Sequence, residues 1–223
     1  MIELKNITKI YALSKVDEVR ALDDVSLSIK EGELVVLKGA SGGGKSTILS
    51  LIAALSKPTS GEVLVDSKKI SKLSDNFASI YRRDNIGFIF QKYNLLPNLS
   101  VRDNILLPLV PLNPHAKDAE EKLSKVMDMF HISHRADTLV KNLSGGEQQR
   151  VAIARANVNN PKIILADEPT ANLDEKLSLS FIEILKELKS LNKTIVIATH
   201  DPLFFNLDFV DLEIEIHNGI IRL

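Results

Sequence analysis

Short, nearly uninterrupted apolar runs alternate with amphipathic segments through most of this chain. Four of these runs end at a glycine or at a polar residue, and they span residues 34–37, 86–90, 163–166 and 194–198. Continuous apolar strands of this kind are typical of a parallel sheet that is covered on both faces. Because ligands of such sheets bind beyond the carboxyl ends of the strands, we expect a site where the four runs end.

The two ends of the chain show a different pattern, in which apolar and polar residues alternate. Ile2 and Leu4 alternate with charged residues, residues 25–30 repeat the alternation, and residues 62–66 predict a short third strand. This period of two predicts an antiparallel sheet at the start of the chain. Residues 212–223 predict a hairpin that turns at Asn-Gly.

Between residues 91 and 160 the spacing of the apolar residues changes to that of a helix. Apolar side chains recur there at helical spacing, at Ala119, Leu123, Val126, Met127 and Phe130. Residues 175–191 predict a second amphipathic helix. We therefore predict one domain, 1–223, in which residues 1–90 and 161–223 form an α/β core with an antiparallel β-subdomain. Residues 91–160 would form an inserted helical subdomain.

Composition and charge narrow the possible functions. The 223 residues are 44% hydrophobic, which is enough for a substantial core, and the net charge of −1 gives no basic excess for binding nucleic acid. The absence of cysteine excludes disulfides and zinc–thiolate sites. The charged, alternating start is unlike a secretory signal, and no apolar run approaches the ~18 residues of a membrane helix. We expect a soluble chain unless a partner holds it at a membrane.

The most specific pattern is a glycine-rich loop that follows the first apolar run and enters a helix. It consists of Gly39, Ala40, Ser41, Gly42, Gly43, Gly44, Lys45, Ser46 and Thr47. A flexible turn is the plain alternative, but the full pattern between a strand and a helix favours a phosphate-binding loop, whose N–H groups turn towards an anion. Lys45 would reach the outer phosphates, and the Ser46 hydroxyl would ligate Mg²⁺.

Two adjacent carboxylates, Asp167 and Glu168, follow another apolar run. Burying such a pair is costly without compensating cations, which Mg²⁺ and Lys45 would supply. Asp167 would then hold the metal, and Glu168 would polarise an attacking water. The alternative is a surface turn in which two acids precede a proline. The phosphate-binding loop upstream favours the catalytic interpretation.

The remaining strand ends carry Gln91 and His200. We predict that Gln91 is a ligand of Mg²⁺ and of the attacking water. His200 would contact the γ-phosphate and stabilise the charge that develops there, although a lone histidine at a strand end is more often structural.

A second glycine-containing loop also enters a helix, and its candidate anion-binding residues are Ser144, Gly145, Gly146 and Glu147. Read alone, such a sequence is usually only a helix cap. A helix N-terminus can nevertheless bind an anion, so the anion-binding interpretation stays open at this point.

Taken together, these motifs resemble those of the ATP-binding cassette (ABC) ATPases over essentially the whole chain. The Walker A loop corresponds to 39–47, the Q-loop to Gln91, the signature to 143–150, Walker B to 163–168, the D-loop to 172–174 and the switch histidine to His200. Tyr11 stands where the family stacks an aromatic ring on adenine, with packing inside a strand as the alternative. The resemblance implies an α/β fold with a P-loop NTPase (RecA-like) core and a mainly parallel sheet.

The same resemblance implies a transport-coupled ATPase that uses ATP and Mg²⁺. Its expected catalytic residues are Glu168, His200, Lys45 and Gln91, and its expected metal ligands are Ser46, Gln91 and Asp167. It implies a head-to-tail dimer in which Ser144 and Gly146 of one copy contact the γ-phosphate bound by the second copy. The other expected partner is an integral membrane permease at the cytoplasmic face of the cell membrane, with no nucleic acid involved.

Details at residues 20–23, 87–91, 94–97 and 143–156 resemble the lipoprotein-releasing and macrolide-exporting group. A cell-division-type or signalling cassette, which transmits a conformational change without transport, is the alternative. Soluble cassettes that act on DNA or ribosomes usually carry tandem cassettes or long coiled coils, which this sequence lacks. The chain departs from the family pattern at Ala40, Gly43 and Ser67 without losing a catalytic group, and the first two predict a more mobile loop.

Overall fold

The computed structural model describes residues 1–12, 17–171 and 173–222, which form two β-sheets and their covering helices. The strands are β1 (Ile2–Ala12), β2 (Glu18–Ile29), β3 (Leu34–Lys38), β4 (Ser60–Val65), β5 (Lys68–Lys69), β6 (Ile86–Ile89), β7 (Ile163–Asp167), β8 (Thr194–Thr199), β9 (Leu212–His217) and β10 (Ile220–Arg222). The α-helices are α1 (Lys45–Ile52), α2 (Asp75–Asn85), α3 (Val101–Leu106), α4 (Ala116–Met129), α5 (Gly145–Asn157) and α6 (Glu175–Ser190).

The alternating residues at the start of the chain form an antiparallel sheet in the order β2-β1-β4-β5. Ile2 pairs with Ile29 and Leu4 with Leu27, so the apolar residues of both strands lie on one face. Strand β4 begins at Ser60, two residues before the pattern predicts. The antiparallel sheet predicted from the sequence is confirmed.

The four apolar runs are neighbours in a second sheet, whose order is β10-β9-β3-β8-β7-β6. Strands β3, β8, β7 and β6 are parallel to one another, and β9 joins the sheet parallel to β3. The predicted hairpin is present as the antiparallel pair of β9 and β10. Since the parallel strands end on the same side, their polar terminal residues meet at one edge of the sheet.

Both faces of the parallel sheet are covered by apolar side chains. In β3, Leu34 and Val36 belong to a core shared with the helices of residues 101–188, whereas Val35 and Leu37 face the antiparallel sheet and α1. All four side chains are fully buried. This two-sided burial explains why the strand reads as a continuous apolar run.

Three helices, α3, α4 and α5, lie between β6 and β7 in the described chain. Helix α4 buries Leu123, Val126 and Met127 along one face, as the spacing predicts, and Phe130 is buried just beyond its end. Helix α3 begins with Ser100, whose side chain accepts a hydrogen bond from the backbone of Asp103. Helical structure therefore fills the region where the sequence predicts it.

Helix α2 is absent from the sequence-based prediction because it has almost no apolar stripe. Ala78 is its one fully buried residue, and Tyr81 is half-buried. Polar contacts attach it instead to the end of α1: the Tyr81 hydroxyl donates to Ile52 O at 3.0 Å, and Arg82 donates to Ala54 O at 2.8 Å. Burial raises the pKa of Tyr81 above its ordinary value.

Candidate functional site

The loop between β3 and α1 adopts a backbone shape that requires glycine at two positions. Gly39 and Gly44 have φ values of 143° and 107°. A Cβ atom on Gly39 would lie 2.1 Å from Ile216 O, and one on Gly44 would lie 2.6 Å from Ala21 O. Any larger residue would therefore have to displace backbone atoms of a neighbouring strand, so the glycines fix the path of the loop.

The N-terminus of α1 opens towards a pocket of about 370 Å³. Within the described residues Gly44 caps this helix without a side-chain hydrogen bond, whereas Ser144 and Asp174 cap α5 and α6 with theirs. The first N–H groups of a helix have no partner inside it, and together with the helix dipole they attract anions. This end of α1 is therefore suited to hold phosphate oxygens.

Lys45 lies at the centre of the site and is only 4% exposed. Its Nζ donates to Gly39 O at 2.6 Å and to Ala40 O at 3.0 Å. The same nitrogen lies 3.5 Å from Oε1 of Glu168. The lysine thus joins the loop after β3 to the carboxylate after β7.

Ser46 and Asp167 form a pair of oxygen ligands beside the loop. The Ser46 hydroxyl donates to Asp167 Oδ1 at 2.8 Å. Burial raises the pKa of Asp167; the hydrogen bond from Ser46 opposes this shift, and the charge of Glu168 adds to it. A hydroxyl and a partly desolvated carboxylate are hard oxygen ligands, so these residues fit a Mg²⁺ ion, which would favour the ionised carboxylate.

Glu168 has an unusual backbone conformation that its hydrogen bonds maintain. Its φ is 44°, in the left-handed region, and its N–H donates to Ala198 O at 2.8 Å. Its Oε2 accepts hydrogen bonds from the Thr199 hydroxyl and from the His200 N–H, both at 3.3 Å, and lies 2.9 Å from His200 Nδ1. Such strain persists where the surroundings determine the conformation, and here it places a buried carboxylate beside the loop.

Most of the predicted strand-end residues meet in the pocket. The residues that line it are Val19, Arg20, Ala21, Ser41, Gly42, Gly43, Gly44, Lys45, Ser46, Thr47, Gln91, Glu168, His200 and Asn218. Gly39 and Ala40 are not among them, but their carbonyls hold Lys45. Asp167 reaches the site through Ser46. The His200 side chain is 58% exposed, so it can contact a bound molecule.

Sequence reasoning missed the four lining residues that come from the hairpins, Val19, Arg20, Ala21 and Asn218. Nothing in the local pattern indicates a site there, because the β-strand pairing alone brings them to the loop. Tyr11 does not line the pocket. It pairs with the lining residue Val19, and its ring lies 4.6 Å from Lys9 Nζ. Its contact with adenine stays a prediction, and Asn172 of the D-loop lies outside the described residues.

The signature residues are not part of this pocket. Ser144 and Gly145 are exposed. Apart from the neighbouring residues and backbone of α5 itself, no described atom lies within 4 Å of where a Cβ on Gly145 would be placed. Ser144 and Glu147 form a capping box at the start of α5, since the Ser144 N–H donates to Glu147 Oε2 at 2.9 Å and the Ser144 hydroxyl accepts from the Glu147 N–H. Arg135 donates to Glu147 Oε1 at 2.7 Å. The segment is a helix cap whose outer surface is open.

Comparison with known proteins shows the family to which this chain belongs. Residues 22–171 match the family model described as ABC transporter, and the chain belongs to this family. It is 45% identical over 206 residues to an ABC transporter ATP-binding protein, MJ0796, of Methanocaldococcus jannaschii, which covers 90% of this chain and 87% of the relative. A solved structure described as a dimeric post-hydrolysis state of MJ0796 bound to ADP and Pi matches with a TM-score of 0.91 and 41% identity, over 100% of this chain and 97% of that chain.

Larger relatives contain this unit as one part. The macrolide export ATP-binding/permease protein MacB of Campylobacter jejuni is 43% identical over 202 residues, which cover 91% of this chain but 31% of the relative. The methionine import ATP-binding protein MetN of Haemophilus influenzae is 44% identical over 202 residues, 90% of this chain and 58% of the relative. No helix in the described part of the chain is long and apolar enough to cross a membrane. The family and the mixed α/β fold predicted from the sequence are confirmed.

The capping box predicts a pH-dependent contribution of Glu147 to stability. Hydrogen bonds from the backbone and hydroxyl of Ser144, helped by Arg135, lower the pKa of Glu147 from 4.5 to about 2. Ionised Glu147 therefore stabilises the folded state above about pH 4.5, and this contribution is lost as the pH falls towards 2. We expect Glu147→Gln to lower the free energy of unfolding by about 1 kcal/mol at pH 7, and less at pH 3.

Urea unfolding of both proteins across this pH range measures the difference. Glu121→Gln, which removes an exposed carboxylate on α4, is the control and should change stability by no more than about 0.5 kcal/mol. A penalty for Glu147→Gln that stays constant from pH 7 to pH 3 would contradict the assignment.

Proposed function

We propose that this chain is the ATP-binding and ATP-hydrolysing subunit of an ABC transporter, acting as a homodimer around two Mg²⁺–ATP and driving a membrane subunit. The observation that carries the proposal is the convergence of three groups on the loop before α1. These groups, Lys45, Glu168 and His200, come from three separate segments. The Glu168 carboxylate lies between the other two, with Oε1 3.5 Å from Lys45 Nζ and Oε2 2.9 Å from His200 Nδ1. The post-hydrolysis ADP and Pi complex of the similar cassette supports the same chemistry.

Each group has a distinct role in the proposed hydrolysis. The backbone N–H groups at the start of α1 and the Lys45 ammonium hold the phosphates. Glu168 orients a water molecule towards the γ-phosphorus and accepts its proton at a carboxylate oxygen as the new P–O bond forms. The bond between the β- and γ-phosphates breaks, giving ADP and phosphate. His200 keeps the Glu168 carboxylate in place and donates to the charge that develops on the transferred group.

Ser46, Asp167 and Gln91 would hold Mg²⁺ in this site. A bound ion would supply neutralisation of the phosphate charge. The hydroxyl and carboxylate oxygens of Ser46 and Asp167 are already 2.8 Å apart, which supports their assignment to one ligand set. Gln91 lines the same pocket from the end of β6.

Replacing Glu168, the proposed base, distinguishes the binding of ATP from its hydrolysis. We expect Glu168→Gln to lower the turnover number about 100-fold or more, because an amide cannot accept the proton from water. ATP binding should be retained, and an ATP-bound dimer should accumulate. Phosphate release and size-exclusion chromatography with ATP measure the two effects, with the exposed Glu187→Gln as control. Unchanged turnover of Glu168→Gln would refute the role of Glu168 as base.

The second half of each ATP site would come from the other copy. Ser144 and Gly145 are exposed at the start of α5 and do not line the pocket that holds Lys45. They are therefore free to contact a nucleotide that is bound in the pocket of another copy. The similar cassette has been solved as a dimer. We infer that Ser144, Gly145, Gly146 and Glu147 face the nucleotide held by the second copy.

Mixing two inactive variants tests this composite site. A Ser144→Arg chain keeps an intact phosphate loop, and a Lys45→Ala chain keeps an intact signature, so one complete site forms in a mixed dimer. We expect each variant alone to be inactive and the mixture to recover part of the phosphate release of the wild type. A Ser144→Arg chain that hydrolyses ATP by itself would exclude the composite site.

A groove beside β6, lined by different residues from those of the pocket that holds Lys45, is suited to the membrane subunit. It has a volume of about 340 Å³ and is lined by Arg82, Arg83, Ile86, Phe88, Phe90, Asn94, Pro108, Pro111, Arg155, Ala156 and Asn159. Phe88 and Phe90 stack with ring centroids 4.3 Å apart. The described residues that line it include no Asp or Glu, so a segment with apolar and acidic side chains complements it.

We propose that an integral membrane permease occupies this groove and holds the chain at the cytoplasmic face of the cell membrane. The relative MacB, described as a macrolide export ATP-binding/permease protein, supports such a partner. Residues 87–91 and 94–97, which resemble the lipoprotein-releasing and macrolide-exporting group, adjoin the groove. A permease with four helices and a periplasmic domain would support that group over other types.

An exposed residue beside the groove provides a test that leaves the core intact. Val110 is 68% exposed, between Pro108 and Pro111. We expect Val110→Asp to weaken binding to the permease about tenfold, because a charge would be buried at the interface. The measurement is the affinity for the permease that purifies with the wild type in detergent. Leu191→Asp is the matched control, since Leu191 is 52% exposed and lies outside the groove. Equal affinities of the wild type and Val110→Asp would argue against this surface.

A further inference from the structure

Gln149 makes a buried contact that the catalytic roles above do not use. It lies on α5, five residues after Ser144, and is 3% exposed. Its Nε2 donates to Pro169 O at 3.0 Å in a buried hydrogen bond. Pro169 directly follows Glu168, so this side chain joins the signature helix to the segment that carries the proposed base.

The segment that receives this hydrogen bond is a turn that begins at Glu168. The Ala171 N–H donates to Glu168 O at 3.2 Å, and the Leu173 N–H donates to Thr170 O at 3.0 Å. The Thr170 hydroxyl donates to Asp201 Oδ2 at 2.9 Å. The turn is therefore attached to the end of β8 on one side and to α5 on the other, and its first residue has the strained backbone described above.

One face of α5 contacts this turn and the neighbouring helix α6. Gly146 leaves room for Leu177 of α6, because a Cβ there would lie 2.6 Å from a Leu177 methyl carbon. Arg150 donates to Ser180 Oγ at 2.9 Å. Residues three and four apart share a helix face, so Gly146, Gln149 and Arg150 together fix α5 against the turn and α6.

We propose that Gln149 is a positioning residue that aligns Glu168 by holding its turn to α5. This inference rests on the proposed function and deepens it. The exposed end of α5 serves the nucleotide of the second copy, whereas Glu168 serves the nucleotide of its own chain. A helix of this length moves as a unit. When Ser144 contacts the nucleotide of the second copy, α5 therefore also fixes the position of the turn that carries Glu168, the base for the nucleotide of its own chain. Gln149 therefore couples the two sites of the dimer.

Replacing Gln149 with an apolar side chain of similar length removes the hydrogen bond but keeps the volume. We expect Gln149→Met to lower the turnover number about tenfold to a hundredfold, because a misplaced base loses the near-attack geometry. The ATP dissociation constant and KM should stay within about twofold, since Gln149 does not contact the pocket. The Hill coefficient for ATP should fall towards one.

Asn157→Leu is the matched control on the same helix. Asn157 is 6% exposed, and its amide donates to Ile153 O at 2.9 Å within α5, away from the turn. The control should keep its turnover number and Hill coefficient at a temperature well below the unfolding midpoints of all variants. An equal loss of turnover in both variants would show a general loss of structure and overturn the proposal. If Gln149→Met does not fold, Gln149→Asn, which is too short to reach Pro169, takes its place with the same expectations.

Hydrogen exchange tests the same link without requiring hydrolysis. We expect the Ala171 and Leu173 amides to exchange about tenfold faster in Gln149→Met than in the wild type, and at the wild-type rate in Asn157→Leu. Unchanged exchange in Gln149→Met would overturn the inference even if the protein hydrolyses ATP. If the wild type had no ATPase activity, the proposed function would be refuted. The exchange rates would then still show whether the bond from Gln149 to Pro169 stabilises the turn.

Discussion

The geometry of the site depends on one buried ammonium group. Lys45 donates to the carbonyls of Gly39 and Ala40 and lies beside the Glu168 carboxylate, so it connects the glycine loop to the end of β7, two strands away from β3 in the sheet. A buried lysine is stable only with such partners, and a buried carboxylate has the same requirement. Each charge compensates the other, and their positions follow from the ends of β3 and β7.

The parallel sheet explains why these groups meet. Strands β3, β8, β7 and β6 are adjacent and point the same way, so residues more than 100 positions apart in the sequence lie at one edge. Burial of both faces makes these strands apolar, which leaves their ends as the places where polar side chains reach solvent. The same constraint that produces the continuous apolar runs therefore also concentrates the chemistry.

The chain carries two surfaces suited to phosphate that do not belong to one pocket. One is the loop before α1, and the other is the exposed capping box at Ser144. The buried bond from Gln149 to Pro169 connects the second surface to the catalytic side of the first. In the proposed homodimer, the loop of one copy would pair with the capping box of the other, and the bond from Gln149 would link the two nucleotide sites.

The sequence by itself determined the α/β fold, the antiparallel start, the four apolar strands of the parallel sheet, and the loop, Gln91, Glu168 and His200 at their ends, since these follow from local period and from residues at strand ends. It missed α2, whose contacts are polar, and the lining residues Val19, Arg20, Ala21 and Asn218, which arrive through hairpin pairing. Only the tertiary structure decided that Glu168 holds a left-handed conformation, that His200 contacts its carboxylate, and that Gln149 reaches Pro169. The reason is physical: periodicity records which side of an element is buried, whereas contacts between side chains from distant segments depend on how those elements pack.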